Sequence, residues 1–188
     1  MVGMCSTAYL KPLYLVALII ALVFTTAALF SPAWRRIDDN NSVGLITSDC
    51  YFQACWWYTD NRASFDHTCL GLMIVAFVLE IFLILASLGM WTRFFVPGAY
   101  VCLTAVSFAA MVAIVVTLAI YGAKSENTFR GIIPITVAPP SVTGFQSTHN
   151  NQFGYSYWLA LIGAIFMAIA TTIAATATVF SLSVNAHS

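Results

Sequence analysis

Four long apolar stretches constrain this chain more than any other feature of its sequence. They cover residues 13–30, 70–90, 97–121 and 155–182, and Glu80 is the only acidic or basic residue within them. A helix needs about 20 mostly apolar residues to cross a bilayer core of ~30 Å, so each stretch predicts one membrane span. Charged residues make up 7% of the chain, against roughly 25% in soluble proteins. The sequence therefore predicts an integral membrane protein and excludes an ordinary soluble enzyme.

The polar segments between the spans define the layout of a single domain, residues 1–188. A long loop covers 31–69, a tight turn covers 91–96 and a medium loop covers 122–154. So short a turn predicts that the second and third spans form a close antiparallel pair. The expected fold class is an all-α membrane protein, a left-handed bundle of four transmembrane helices with a small antiparallel β-sheet in the long loop.

The long loop contains both the expected strands and a cluster of cysteines. Segments 43–46 and 51–59 are rich in aromatic and β-branched residues, which predicts antiparallel strands. Cys50 and Cys55 are close enough in sequence for a disulfide to clamp a tight hairpin, provided that their Cα atoms lie within about 7 Å. A pair of free thiols, or a bond from either residue to Cys69, is the alternative.

The same loop suggests the orientation of the chain in the membrane. Its cysteines and a glycosylation sequon at Asn40 favour an oxidising, extracellular compartment, which places both termini in the cytoplasm. The positive-inside rule opposes this orientation, because more basic residues would then lie outside than inside. Those inside are Lys11 and Arg93, and those outside are Arg35, Arg36, Arg62, Lys124 and Arg130. We give the cysteines more weight.

The first span has two possible interpretations, a cleaved signal peptide and a retained helix. A cleaved signal peptide is one alternative, because small residues near its end resemble a cleavage site. Its apolar core, residues 13–30, is longer than the ~7 to 15 residues of a signal peptide, so we expect a retained helix. Cys5, at the cytoplasmic end of this helix, is a candidate for palmitoylation.

Glu80 is the polar residue within the spans that is most open to a functional reading. A carboxyl group inside a membrane is costly and indicates either a paired structural site or a functional one. The structural reading has a neutral Glu80 hydrogen-bonded to Thr104, Ser107 or a backbone carbonyl of the third span, since burial favours the neutral form. The functional reading has it contact a polar group of a partner channel.

Small residues recur every four positions in the fourth span, at Ala160, Ala164, Ala168 and Thr172. A face of small side chains allows close approach of a neighbouring helix. We expect this face to pack within the bundle, with a dimer interface as the alternative. Ser107, Ala110 and Ala113 of the third span are the expected partners.

The sequence gives little support to catalysis or to nucleic-acid binding. It contains no HExxH, P-loop or GxGxxG motif, so we expect no catalytic residues, no metal site, no cofactor and no enzymatic activity. Seven basic residues balance seven acidic ones, and no basic patch indicates a nucleic-acid partner. Membrane lipid is the expected environment.

Trp34, Gly44, Leu45, Cys50 and Cys55 together resemble the extracellular signature of the claudin superfamily, and the long, short and medium loops agree with it. The segment FGYSYWL at 153–159 is similar to the start of the last helix in many members. These include relatives of peripheral myelin protein, the γ subunits of calcium channels and, as the branch most similar in pattern, the nematode claudin-like proteins.

This resemblance implies a multi-pass protein of the plasma membrane, located at cell junctions. Its outer loops would contact like molecules in the same and in opposing membranes, producing cell adhesion or a paracellular barrier. The resemblance to γ subunits implies the alternative, an auxiliary subunit that modifies the trafficking or gating of a pore-forming channel.

Overall fold

The computed structural model describes residues 2–38, 41–49, 64–91, 99–132 and 153–186. Four helices account for most of them: α1 is Val2–Phe30, α2 is Ser64–Trp91, α3 is Ala99–Ile132 and α4 is Tyr155–Ala186. Each contains a stretch long and apolar enough to cross a membrane, namely Tyr9–Phe30, Ser64–Gly89, Tyr100–Lys124 and Tyr155–Phe180. The expected four-span fold is therefore confirmed.

The four helices form a closed ring in which each packs against two neighbours. Helix α1 contacts α4 and α2, and α3 contacts α2 and α4. Phe65 near the start of α2 lies against Tyr121, and Cys69 one turn further along α2 lies against Thr117. Since residue numbers rise along α2 as they fall along α3, these two helices are antiparallel, as the short turn between them predicted.

A small antiparallel sheet follows α1 and lies at one end of the bundle. Its strands are β1 (Arg35–Asp38), β2 (Asn41–Val43) and β3 (Ser48–Asp49), in that order. The presence of the sheet confirms the expected fold class, but its strands differ from those expected. Only Val43 of the expected strand 43–46 belongs to a strand, and the expected strand 51–59 lies outside the described residues.

Residues 44–47 form a turn because the chain reverses there to pair β2 with β3. The amide of Gly44 donates a hydrogen bond of 2.9 Å to the carbonyl of Thr47, which closes a two-residue turn at Leu45 and Ile46. A Cβ atom on Gly44 would lie 2.5 Å from the carbonyl oxygens of both Ser31 and Thr47. The hydrophobic pattern of this segment thus reflects a turn packed onto the bundle rather than an extended strand.

The small-residue face of α4 turns away from the core along the helix. Ala160 and Ala164 are buried, but Ala168 is only partly buried and Thr172 is exposed. A helix has 3.6 residues per turn, so a strict four-residue repeat rotates by about 40° at each step. The buried side instead continues through Met167, Ala170 and Ala174, and the prediction was wrong for the second half of the face.

Candidate functional site

The segment that follows α1 folds back and caps the end of that helix. The last four carbonyl groups of a helix lack partners within it, and three of those in α1 receive hydrogen bonds from residues beyond its end. The Ser31 amide donates to Ala27 at 3.0 Å, the Trp34 indole Nε1 to Ala28 at 2.6 Å, and the Thr47 hydroxyl to Phe30 at 2.8 Å. The sheet is therefore attached to α1 by side chains from two separate parts of the loop.

Trp34 is the centre of an aromatic cluster that closes this end of the bundle. Its exposed fraction is 0%. Its ring centroid lies 5.0 Å from that of Tyr121 on α3 and 6.2 Å from that of Tyr157 on α4, both in edge-to-face arrangements. Phe65 of α2 contacts the same Tyr121 at 6.1 Å. One cluster thus connects all four helices with the start of β1, since the Trp34 indole also binds α1.

The start of α4 is joined to the same segment by backbone pairing. The amide of Gly154 donates to the carbonyl of Trp34, and the amide of Ser156 donates to that of Ala33, both at 3.0 Å. The hydroxyl groups of Ser156 and Ser31 are 2.8 Å apart. Gly154 leaves no room for a side chain, because a Cβ there would overlap the carbonyl of Ala33.

This pairing extends into the sheet, since Phe153 forms an antiparallel bridge with Arg35 of β1. The end of the medium loop and the beginning of the long loop therefore form one continuous structure. We call it the end clamp, and it comprises the segments 31–35, 44–47 and 153–157.

The sheet presents one buried and one exposed row of side chains. Cross-strand partners share a face, and Arg36, Ser42 and Asp49 are aligned across the three strands. Arg36 and Asp49 are exposed, so this row forms the outward face. The other row contains Arg35 and Val43, each 2% exposed, and faces the bundle.

Two charged side chains near this end of the bundle are buried. Arg35 belongs to the bundle-facing row, and Asp66 in the first turn of α2 is 5% exposed. Sequence alone did not separate Arg35 from Arg36, because the two arginines are adjacent and only the strand periodicity of two places them on opposite faces.

Glu80 faces the interior of the bundle, and its partner is not the one expected. Its carboxyl Oε1 accepts a hydrogen bond of 3.0 Å from the Thr25 hydroxyl of α1, whereas Thr104 and Ser107 bond to backbone carbonyls of α3. The expected partner on the third span was therefore wrong. Because Glu80 is 0% exposed, it also offers no contact to a neighbouring membrane protein.

The structure describes only part of the predicted site. Cys50, Cys55 and Asn40 lie outside the described residues, so the disulfide and the glycosylation site stay predictions. Cys5 lies within α1, but its side chain is not described, and its palmitoylation also stays a prediction. Cys69 is a buried free thiol whose Sγ lies 3.8 Å from the Thr117 carbonyl.

Three polar residues of the site were not singled out by sequence. Thr25, Thr47 and Ser156 each make a hydrogen bond between segments distant in the chain. Ser156 lies within FGYSYWL at 153–159, so the resemblance contained its position without its role. Within the described residues, no three His, Cys, Asp or Glu side chains converge in a way that could hold a metal ion.

The fold and the end clamp define a four-span membrane protein whose extramembrane sheet is attached to one end of its bundle. Residues 4–183 match the family described as tight junction protein, claudin-like. The match covers nearly the whole chain, which therefore belongs to this claudin-like family, and the expected resemblance to the claudin superfamily is confirmed. No individual curated protein matches the chain.

Proposed function

We propose that this multi-pass membrane protein mediates cell–cell contact, or forms a paracellular barrier, through its extracellular loops. The membership of the claudin-like family supports such a role. The end clamp supports this role further, because it joins the long loop to the medium loop at the end of the bundle. The outward face of the sheet is thereby held in a defined orientation.

The observation that carries this proposal is that the outward face presents two opposite charges in one row. Arg36 of β1 and Asp49 of β3 are both exposed and lie in one cross-strand row, separated by Ser42. A second copy related by a two-fold axis would bring Arg36 of each molecule to Asp49 of the other. Such a contact is self-complementary, and opposite charges at an interface favour the correct partner over others.

A cell-mixing experiment tests this contact. Non-adherent cells expressing the wild type should aggregate, and cells expressing only Arg36→Asp, or only Asp49→Arg, should aggregate less. Mixing these two cell populations should restore aggregation, because each variant then meets opposite charges. His67→Glu, at an exposed position outside the sheet, is the control for added negative charge.

Transepithelial resistance of a monolayer is measured with the same variants at matched surface expression. If expression of the wild type neither changes the resistance nor makes non-adherent cells aggregate, the proposal is contradicted. If an ion channel's current changes in the same experiments, the auxiliary-subunit alternative replaces it.

The proposed orientation places both termini in the cytoplasm and the end clamp outside. A C-terminal tag should be inaccessible to antibody in intact cells and accessible after permeabilisation. Glycosidase treatment of the wild type, with Asn40→Gln as its control, should produce a shift in mass if Asn40 is modified. A tag that is accessible in intact cells would contradict the orientation.

A further inference from the structure

Glu80 is completely enclosed by the bundle, and its two carboxyl oxygens differ in their hydrogen bonding. Thr25 donates to Oε1, whereas Oε2 is buried without a hydrogen-bond partner. Thr25 lies close against α4, because a Cβ on Gly163 would be only 3.0 Å from its hydroxyl oxygen. The carboxyl group therefore lies where side chains of α2 and α1 meet, and α4 closes the contact from behind.

Among the described side chains of the packed helices, no other titratable or charged group forms a hydrogen bond or ion pair with this carboxyl. These groups are Tyr9, Lys11 and Tyr14 on α1, Asp66, His67 and Cys69 on α2, Tyr100, Cys102, Tyr121 and Lys124 on α3, and Tyr155 and Tyr157 on α4. The polar contact made by Glu80 is the bond from the neutral hydroxyl of Thr25. Among the described side chains, no cation is placed to neutralise an ionised Glu80.

An unpaired carboxylate inside a membrane costs several kcal/mol, whereas the protonated acid carries no charge and costs less. When the acid ionises, its proton must pass to water, and the negative charge must then be solvated. Water has to reach Oε2 for both steps. The contact between α1 and α2 is the place for this opening, since the one hydrogen bond of the carboxyl crosses it.

We propose that Glu80 is a proton-binding site inside the membrane-spanning bundle, and that loss of its proton opens the contact between α1 and α2 to water. The site binds a proton rather than a metal or an organic ligand. Proton binding at Glu80 does not require the cell-contact role proposed above, and its test does not use adhesion.

Infrared spectroscopy of the reconstituted protein tests proton binding directly. At neutral pH, the wild type should show the carbonyl stretching band of a protonated carboxylic acid, and Glu80→Gln should lack it. Thr25→Val keeps the acid but removes the hydrogen bond to its Oε1, so the band should remain and move to higher wavenumber; this shift assigns the band to Glu80 should Glu80→Gln fail to fold. Identical spectra of wild type and Glu80→Gln in this region would overturn the proposal.

Thermal unfolding of the purified protein in detergent tests the opening. Stability that depends on a bound proton is present at low pH and is lost as the proton leaves at higher pH. Raising the pH should therefore lower the unfolding temperature of the wild type by at least about 3 °C more than that of Glu80→Gln, which is roughly the shift for 1 kcal/mol in a protein of this size.

Gly71→Ala is the control, because a Cβ at this position of α2 meets no atom within 4 Å. It should follow the wild-type curve across the pH range. Parallel curves for wild type and Glu80→Gln would overturn the opening of the contact.

Discussion

Removing the indole N–H of Trp34 should loosen the end of the bundle by an amount that can be calculated. In Trp34→Phe an aromatic ring stays in the cluster, but the hydrogen bond of 2.6 Å to the Ala28 carbonyl is lost. Leaving a buried acceptor without its donor costs about 1–3 kcal/mol. A cost of about 2 kcal/mol raises the open population roughly 30-fold. Trp34→Ala also removes the ring, for a total of about 3–5 kcal/mol.

Cys69 provides a natural reporter for this loosening. It is a fully buried thiol on α2, one turn from Phe65, which contacts the same Tyr121 as Trp34 does. Alkylation of Cys69, followed by peptide mass spectrometry, therefore measures how often this end opens when reclosing is faster than alkylation. The exposed Cys102 on α3 is an internal control whose rate should not change.

The matched substitution is Trp158→Phe on α4, where the tryptophan is 54% exposed. Surface changes of this kind stay within about ±0.5 kcal/mol, so alkylation of Cys69 should change by no more than about twofold. If Trp34→Phe also stays within twofold, the cap on Ala28 contributes nothing to stability, and the description of the end clamp is wrong.

Other predictions concern a turn, a helix contact and the cysteines. Gly44→Ala should destabilise the fold by about 1–3 kcal/mol, because backbone atoms occupy the space of the new methyl group. Gly71→Ala should instead be neutral or stabilise the fold by up to about 1 kcal/mol. Thermal unfolding of both variants distinguishes these outcomes. Thr25→Val should cost about 0.6–1.7 kcal/mol, the range for interhelical hydrogen bonds in membranes, and no loss of stability in SDS titration would contradict the bond. Mass spectrometry of non-reduced peptides should find Cys50 bonded to Cys55, and two free thiols would refute the hairpin.

The four helices could be predicted from hydropathy because the membrane leaves the backbone few options. A chain inside lipid must satisfy its own amide groups, so each apolar stretch of sufficient length forms a helix. Hydropathy could not predict which side of each helix faces the interior of the bundle. A helix that is apolar on all sides has no polar face to show which side is inside, so sequence did not reveal that Glu80 faces Thr25 rather than α3.

Some residues of the end clamp were predictable from the sequence, but their contacts were not. Trp34, Gly44 and Leu45 were found through the resemblance to claudins, yet the partners of Trp34 and Gly44 are backbone carbonyls. Carbonyl groups are common to every residue, so no sequence pattern marks Ala28 as the acceptor of the Trp34 bond. The strand β1 was missed because its charged residues do not show the aromatic and β-branched composition of a typical strand.

The position of the sheet depends on the position of α1, because the end clamp donates hydrogen bonds to the last carbonyls of that helix. Trp34 and Thr47 bind Ala28 and Phe30 of α1, while Thr25, one turn before Ala28, binds Glu80. A movement of α1 away from α2 would therefore act on the same helical end that holds the sheet. The carbonyls of Ala33 and Trp34, just before β1, also accept hydrogen bonds from Ser156 and Gly154, so the sheet cannot follow α1 without straining these bonds. We therefore expect changes in the contact at Glu80 to alter the exposure of the end clamp, and alkylation of Cys69 in Glu80→Gln as a function of pH would detect the coupling. An alkylation rate with the same pH dependence in wild type and variant would show that the two sites are independent.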